Sequence, residues 1–139
     1  MTGPPSRLHH VVFAVTASRH DETANLFGEI GFHLNGGELA ELGIRVSLDW
    51  SGGIELISPL PGATTDVAAS VEDFLAANGD GVYTVVVQVP GAAAAESVTQ
   101  RYGSVTRFTQ HIDGEGTYLD EIDLTVRDLP LTLLGTNIP

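Results

Sequence analysis

In 139 residues the chain carries eighteen acidic side chains against six basic ones, all six of them arginine, for a formal charge of −12. With no basic stripe to displace counterions from phosphates, nucleic acid is excluded as a partner, and with no cysteine there is neither a disulfide nor a thiolate metal site. No apolar run approaches the roughly 20 residues needed to span a bilayer and the start, MTGPPSR, lacks an export signal's apolar stretch, so the expectation is a cytoplasmic protein with no membrane partner.

Leu8 to Val15, LHHVVFAV, opens the chain as a β-type run in which alternation places His10, Val12 and Ala14 on one face and His9, Val11, Phe13 and Val15 on the other. Ser18 and Asp21 have the spacing of a capping box, which predicts a helix with Leu26, Phe27 and Ile30 along one side and Gly31 as its stop. Three strands are predicted next, from Phe32 to about Glu38, Ile44 to Trp50 and Ile54 to Ser58, punctuated by glycine turns. Pro59, Pro61 and Gly62 read as a linker. Val67, Val71, Phe74 and Leu75 then recur at helical spacing between Asp66 and Ala77.

From Gly79 the order starts again. VYTVVVQV at Val82 to Val89 is the second strand of the Leu8 type, followed by a Pro90–Gly91 break and an Ala-rich helix whose Ala94, Val98 and Tyr102 share a face. Ser104 to Ile112, Thr117 to Val126 and Leu129 to Leu134 supply three more strands, with DGEG at Asp113 to Gly116 as a hairpin turn. His10 maps onto Thr84 at an offset of 74, and Ile54 to Ile57 onto Leu131 to Leu134 at an offset of 77. The chain is therefore expected to be α+β, with two tandem βαβββ modules forming a curved mixed sheet around a central cleft: residues 1–62, a connecting linker and helix at 63–80, and residues 81–139.

HVVFAV at His10 to Val15, GGIELISPL at Gly52 to Leu60 and VEDFLAANGDGVYTVVVQV at Val71 to Val89 resemble the vicinal oxygen chelate superfamily. That superfamily holds glyoxalase I, the extradiol dioxygenases, the bleomycin and fosfomycin resistance proteins and methylmalonyl-CoA epimerase, whose connecting helix and fifth strand the third segment resembles. The resemblance covers nearly the whole chain. It implies a homodimer, a small-molecule ligand and a divalent metal held by the first and last strands of each module, at positions that fall here on His10, Glu55, Thr84 and Thr132. The first module keeps an imidazole and a carboxylate, while the second offers two weakly basic alcohols, so half of the usual ligands are missing. The cofactor stays open between a metal-free state, a metal on His10 and Glu55 completed by water, substrate or a nearby side chain such as His111, and one completed from a second chain.

Glu55 lies between Ile54 and Leu56 in an otherwise apolar strand, where an unpartnered carboxylate is costly, and His10 is its favoured partner. His9 reads as structural or exposed, His20 as an exposed helix start and His33 as a strand beginning. Arg107, Thr109 and His111 alternate opposite Asp120, Glu121 and Asp123, which reads as a solvated sheet edge, or more sharply as His111 with Asp120 or Glu121 near the cavity mouth. Two functions follow. One is an epimerase, isomerase or lyase in which Glu55 or His10 moves a proton beside a carbonyl and Thr84, Thr132 and Gln88, or a metal, stabilise the oxyanion. The other is a metal-free binding or sequestering protein for a hydrophobic or aromatic compound, with Val12, Ala14, Ile57, Val86 and Leu134 as apolar walls.

Overall fold

The computed structural model describes residues 5–139; the first four residues of the turn-rich start lie outside them. The elements run β1 (Arg7–Ala14), a 3-10 turn (Ala17–Arg19), α1 (His20–Glu29), β2 (Asn35–Leu39), β3 (Ile44–Asp49), β4 (Ile54–Pro59), α2 (Asp66–Asn78), β5 (Gly81–Gln88), α3 (Ala92–Gln100), β6 (Val105–Asp113), β7 (Tyr118–Val126) and β8 (Leu129–Thr136). The fold is α+β, and the order βαβββ occurs twice. In the first module β2, β3 and β4 form an antiparallel meander and β1 returns parallel to β4; in the second β6, β7 and β8 do the same and β5 runs parallel to β8. A parallel neighbour requires a crossover, which the helix and meander between the first and last strands provide.

The two copies repeat in register. Val12 pairs with Glu55 and Ala14 with Ile57 in the first, while Val86 pairs with Thr132 and Gln88 with Leu134 in the second. These are the partners that the offsets of 74 and 77 demand. By contacts the chain divides into two compact units, one from His10 to Tyr83 and one that joins the described residues up to His9 to Thr84–Pro139.

Several local expectations give way to longer-range bonds. The Ser18–Asp21 capping box does not form: Ala17–Arg19 is a 3-10 turn, α1 begins at His20 and neither start has a side-chain cap. Asp21 instead accepts a hydrogen bond from Arg45 on β3. Leu26 and Ile30 are 55% and 63% exposed, so Phe27 alone anchors that face of α1, with its ring 5.7 Å from Phe13 and 5.8 Å from Phe32. The strand expected from Phe32 starts only at Asn35, because the Phe32 amide closes the end of α1 on the Phe27 carbonyl and the His33 amide donates to Asp49.

Ala94 and Val98 of α3, and Tyr102 in the turn after it, point outward, and Ala92 and Ala95 pack instead on Ile122, Leu124 and Leu133. The α2 expectation is met within a residue and gains a cap, Thr65, whose hydroxyl oxygen accepts from the Ala68 amide at 3.0 Å and donates to the Leu42 carbonyl at 2.6 Å. Gly43, at φ +71°, must be glycine there, since a Cβ would come within 2.6 Å of the Thr65 hydroxyl. Among the described residues no helix is long and apolar enough to cross a membrane.

Candidate functional site

The register of β1 against β4 puts His10, Val12 and Ala14 on the same face as Glu55 and Ile57. On that face His10 Nε2 lies 2.9 Å from Glu55 Oε1, with the two side chains 4% and 19% exposed. An ionised carboxylate only accepts, so Nε2 carries the proton of this bond. The indole of Trp50 stands beside the imidazole, ring centres 6.3 Å apart, and Val12, Ala14 and Ile57 are buried around the pair. The imidazole is thus the inner, fixed member and the carboxylate the outer one.

In the second module the equivalent face carries Thr84, Val86 and Gln88 from β5 and Thr132 and Leu134 from β8. All but the half-buried Gln88 are buried. Thr84 Oγ1 and Thr132 Oγ1 are hydrogen-bonded at 3.1 Å. Next in the sheet, Asp123 of β7 pairs with Thr132. Asp123 also takes the Arg107 Nε–H at 2.6 Å. Burial pushes the Asp123 carboxyl above the usual range, and Arg107 and Thr132 pull it back only in part. In the first module the place of Asp123 is filled by Leu48, the β3 partner of Glu55. The second module therefore has a carboxylate one strand further over.

Sequence alternation groups Arg107 with Thr109 and His111, and the structure separates them. A β-bulge between Thr106 and Phe108 leaves Arg107 as the extra residue, with Phe108 opposite Asp123 and His111 opposite Asp120. Arg107 is re-aimed onto Asp123, while His111 belongs to the other face, where Asp120 and Asp113 hold its two ring nitrogens. Those bonds raise the His111 pKa, Asp120 contributing most, but the ring is more than half exposed. The solvated-edge reading thus describes His111 and Asp120 and fails for Arg107 and Asp123, whose side chains are 27% and 16% exposed.

His9 is buried at 8% exposure, the structural one of its two readings. His20 departs from expectation and is not an exposed helix start: it is 0% exposed, with Nδ1 2.6 Å from the Ser58 hydroxyl and Nε2 2.7 Å from that of Ser47. Desolvation first, and the nearby Arg45 second, lower its pKa below the ordinary imidazole value of 6.5. A groove of about 750 Å³ between α1 and β2, with Asn25, Glu29, His33 and Asn35 on its walls and Ser47 among its lining residues, lies on the helix side. Ser47 pairs with Leu56 and so alternates away from Glu55.

No protein-family model and no curated protein matches the chain. Solved structures do. A hypothetical protein from Bacillus halodurans superposes with a TM-score of 0.73 at 17% identity, covering 98% of both chains. Methylmalonyl-CoA epimerase from Mycobacterium tuberculosis gives 0.64 at 20% identity, covering 92% of this chain and 86% of the epimerase. A triple mutant of 4-hydroxymandelate synthase from Streptomyces coelicolor gives 0.67 at 19% identity over all of this chain and 51% of the synthase. The chain has the vicinal oxygen chelate fold.

In that fold the four positions to which the resemblance assigns a metal are His10, Glu55, Thr84 and Thr132, and these residues do not fit a divalent ion. His10 and Glu55 spend their facing atoms on each other. The threonines spend theirs on one another, and neutral hydroxyls are weak donors to a metal. Among the described residues no group of three or more His, Asp or Glu side chains is placed to hold a metal ion, so His111 does not complete a set.

Proposed function

We propose that this protein is a small-molecule enzyme that moves a proton at a carbon beside a carbonyl, in the manner of an epimerase, isomerase or lyase, with Glu55 as the base and His10 as its positioning residue. The observation that carries this reading is the His10–Glu55 hydrogen bond of 2.9 Å on an otherwise apolar strand face. A carboxylate stripped of water is a stronger base provided something fixes its orientation without removing its charge, and a neutral imidazole N–H does both. Glu55 is the member that a substrate can touch, because its side chain retains 19% exposure against 4% for His10. The shared fold with methylmalonyl-CoA epimerase supports the reaction class as an analogy of architecture.

The test is hydrogen exchange in deuterium oxide, with a panel of short acyl thioesters including methylmalonyl-CoA, 2-oxo acids and 3-oxo acids, read by mass spectrometry. At least one compound is expected to take up deuterium beside its carbonyl, and Glu55→Gln to slow that uptake by about 100-fold or more, the usual worth of a general base. No uptake from any of them, or uptake that Glu55→Gln leaves unchanged, overturns the reading. The second reading, a metal-free binder of a hydrophobic or aromatic compound, is favoured by the Trp50 ring beside His10. Its signature is a change in Trp50 fluorescence on adding an aromatic compound without any exchange.

A further inference from the structure

On the helix side of the first module's sheet, the groove between α1 and β2 holds about 750 Å³, within the range of small-molecule sites. Asn25 and Glu29 stand one turn apart on α1, and His33 and Asn35 line the opposite wall. The buried Ser47 is part of the lining. Among the described residues its hydroxyl makes one hydrogen bond, to His20 at 2.7 Å, although a hydroxyl has one donor and two acceptor positions. Two glycines keep this space open. Gly28 lies in the last turn of α1 with helical backbone, and a Cβ there would meet nothing within 4 Å. Neither its conformation nor a neighbour calls for glycine, which costs a helix stability relative to alanine. Gly36 pairs with Ser47 across β2 and β3, and its Cβ would stand 3.2 Å from Ser47 Oγ, so a larger residue would cover the hydroxyl.

We infer that this groove is a second ligand site, for a neutral polyhydroxylated molecule of the sugar or cyclitol class, held by Asn25, Glu29, Asn35 and Ser47. The two carboxamides and the serine hydroxyl each donate and accept, and Glu29 accepts. A sugar hydroxyl likewise does both, so a run of hydroxyls satisfies all four groups. Charge narrows the class further. The lining holds Glu29 and neither lysine nor arginine, on a chain of formal charge −12, which disfavours phosphates and carboxylates. Arg45, on the same strand as Ser47, is spent on Asp21. A cation would bond Glu29 but meet the N–H donors of Asn25 and Asn35. Phe32 adds an aromatic wall, which suits the C–H face of a sugar ring. The inference goes beyond the proton-transfer reading and does not rest on it, because Ser47 and Glu55 lie on opposite faces of the sheet.

The experiment titrates the full chain at pH 7 with glucose, maltose or myo-inositol, and in parallel with glucose 6-phosphate and with spermidine. NMR follows the side-chain amides of Asn25 and Asn35 and the C2 proton of His33. At least one neutral compound is expected to give a saturable shift, with glucose 6-phosphate binding at least about threefold more weakly than the best of them. Gly28→Met raises helix propensity and puts its side chain into the groove, so it is expected to weaken binding by about tenfold or more while the melting temperature holds or rises. Ser47→Ala is expected to weaken binding by about threefold to tenfold, one hydrogen bond's worth. Glu55→Gln leaves binding unchanged, so the two readings of this protein fail separately. No saturable shift from any neutral compound, tighter binding of spermidine or of the phosphate than of the best neutral compound, or binding that Gly28→Met leaves intact overturns the inference.

Discussion

His20 shows how much one side chain of the first module depends on partners far away in sequence. Fully buried, it spends one ring nitrogen on Ser58 and the other on Ser47, which fixes the start of α1 against β3 and β4. Removing the ring leaves two hydroxyls without that partner and a cavity, so His20→Ala is expected to destabilise by about 2–4 kcal/mol in urea unfolding. Its pKa is lowered in the fold. Below the ordinary value of 6.5 the unfolded chain therefore takes up a proton that the folded chain refuses, and stability falls as pH drops through that range. The C2 proton of His20 is expected to stay at its neutral position in an NMR titration past pH 6.5, and His20→Gln to flatten the loss of melting temperature between about pH 6.5 and pH 5. None of this is legible around His20 itself, since Ser47 and Ser58 lie 27 and 38 residues away. Glu55 was legible, because a carboxylate between Ile54 and Leu56 requires a partner and His10 was the one at hand.

Among the elements, the strands and the faces of their side chains could be read from alternation, and irregularities could not. The bulge at Arg107 shows why: one extra residue inverts the alternation on one side of it, so Arg107 and His111 look like neighbours on a face when they occupy opposite ones. The turn between β7 and β8 is a second case. Val126 pairs with Leu129 across two residues, and those residues, Arg127 and Asp128, have φ of +51° and +67°. Positive φ at both centres is a type I′ turn, which favours Asn-Gly because Cβ crowds the following carbonyl oxygen in the left-handed region, a clash that glycine lacks and asparagine offsets by a local hydrogen bond. Replacing Arg127→Asn together with Asp128→Gly is expected to add about 1 kcal/mol and raise the melting temperature by a few degrees in calorimetry. An unchanged melting temperature would show that the turn is supported by something other than its own backbone preference.

At the scale of the whole molecule the duplication was visible in two offsets, and both fall on structurally equivalent ladder partners. What sequence punctuation does not reveal is where compactness divides. Linkers rich in Pro and Gly invite a boundary near Pro61 and Gly62, whereas contacts group the described residues up to His9 with Thr84–Pro139 and leave His10–Tyr83 as the other unit. Both boundaries fall inside strands, β1 and β5. Arg7, Leu8 and His9 thus start the first module's strand in sequence and belong to the second unit in space, where His9 is buried. Deleting the chain through His9 is therefore expected to raise amide hydrogen exchange in Thr84–Pro139, most in the strand β5, and to raise it less in α1 and the meander of Asn35–Pro59. If protection falls first in α1 and that meander, the segment is serving the module that it opens, and the contact grouping does not describe how the molecule is held.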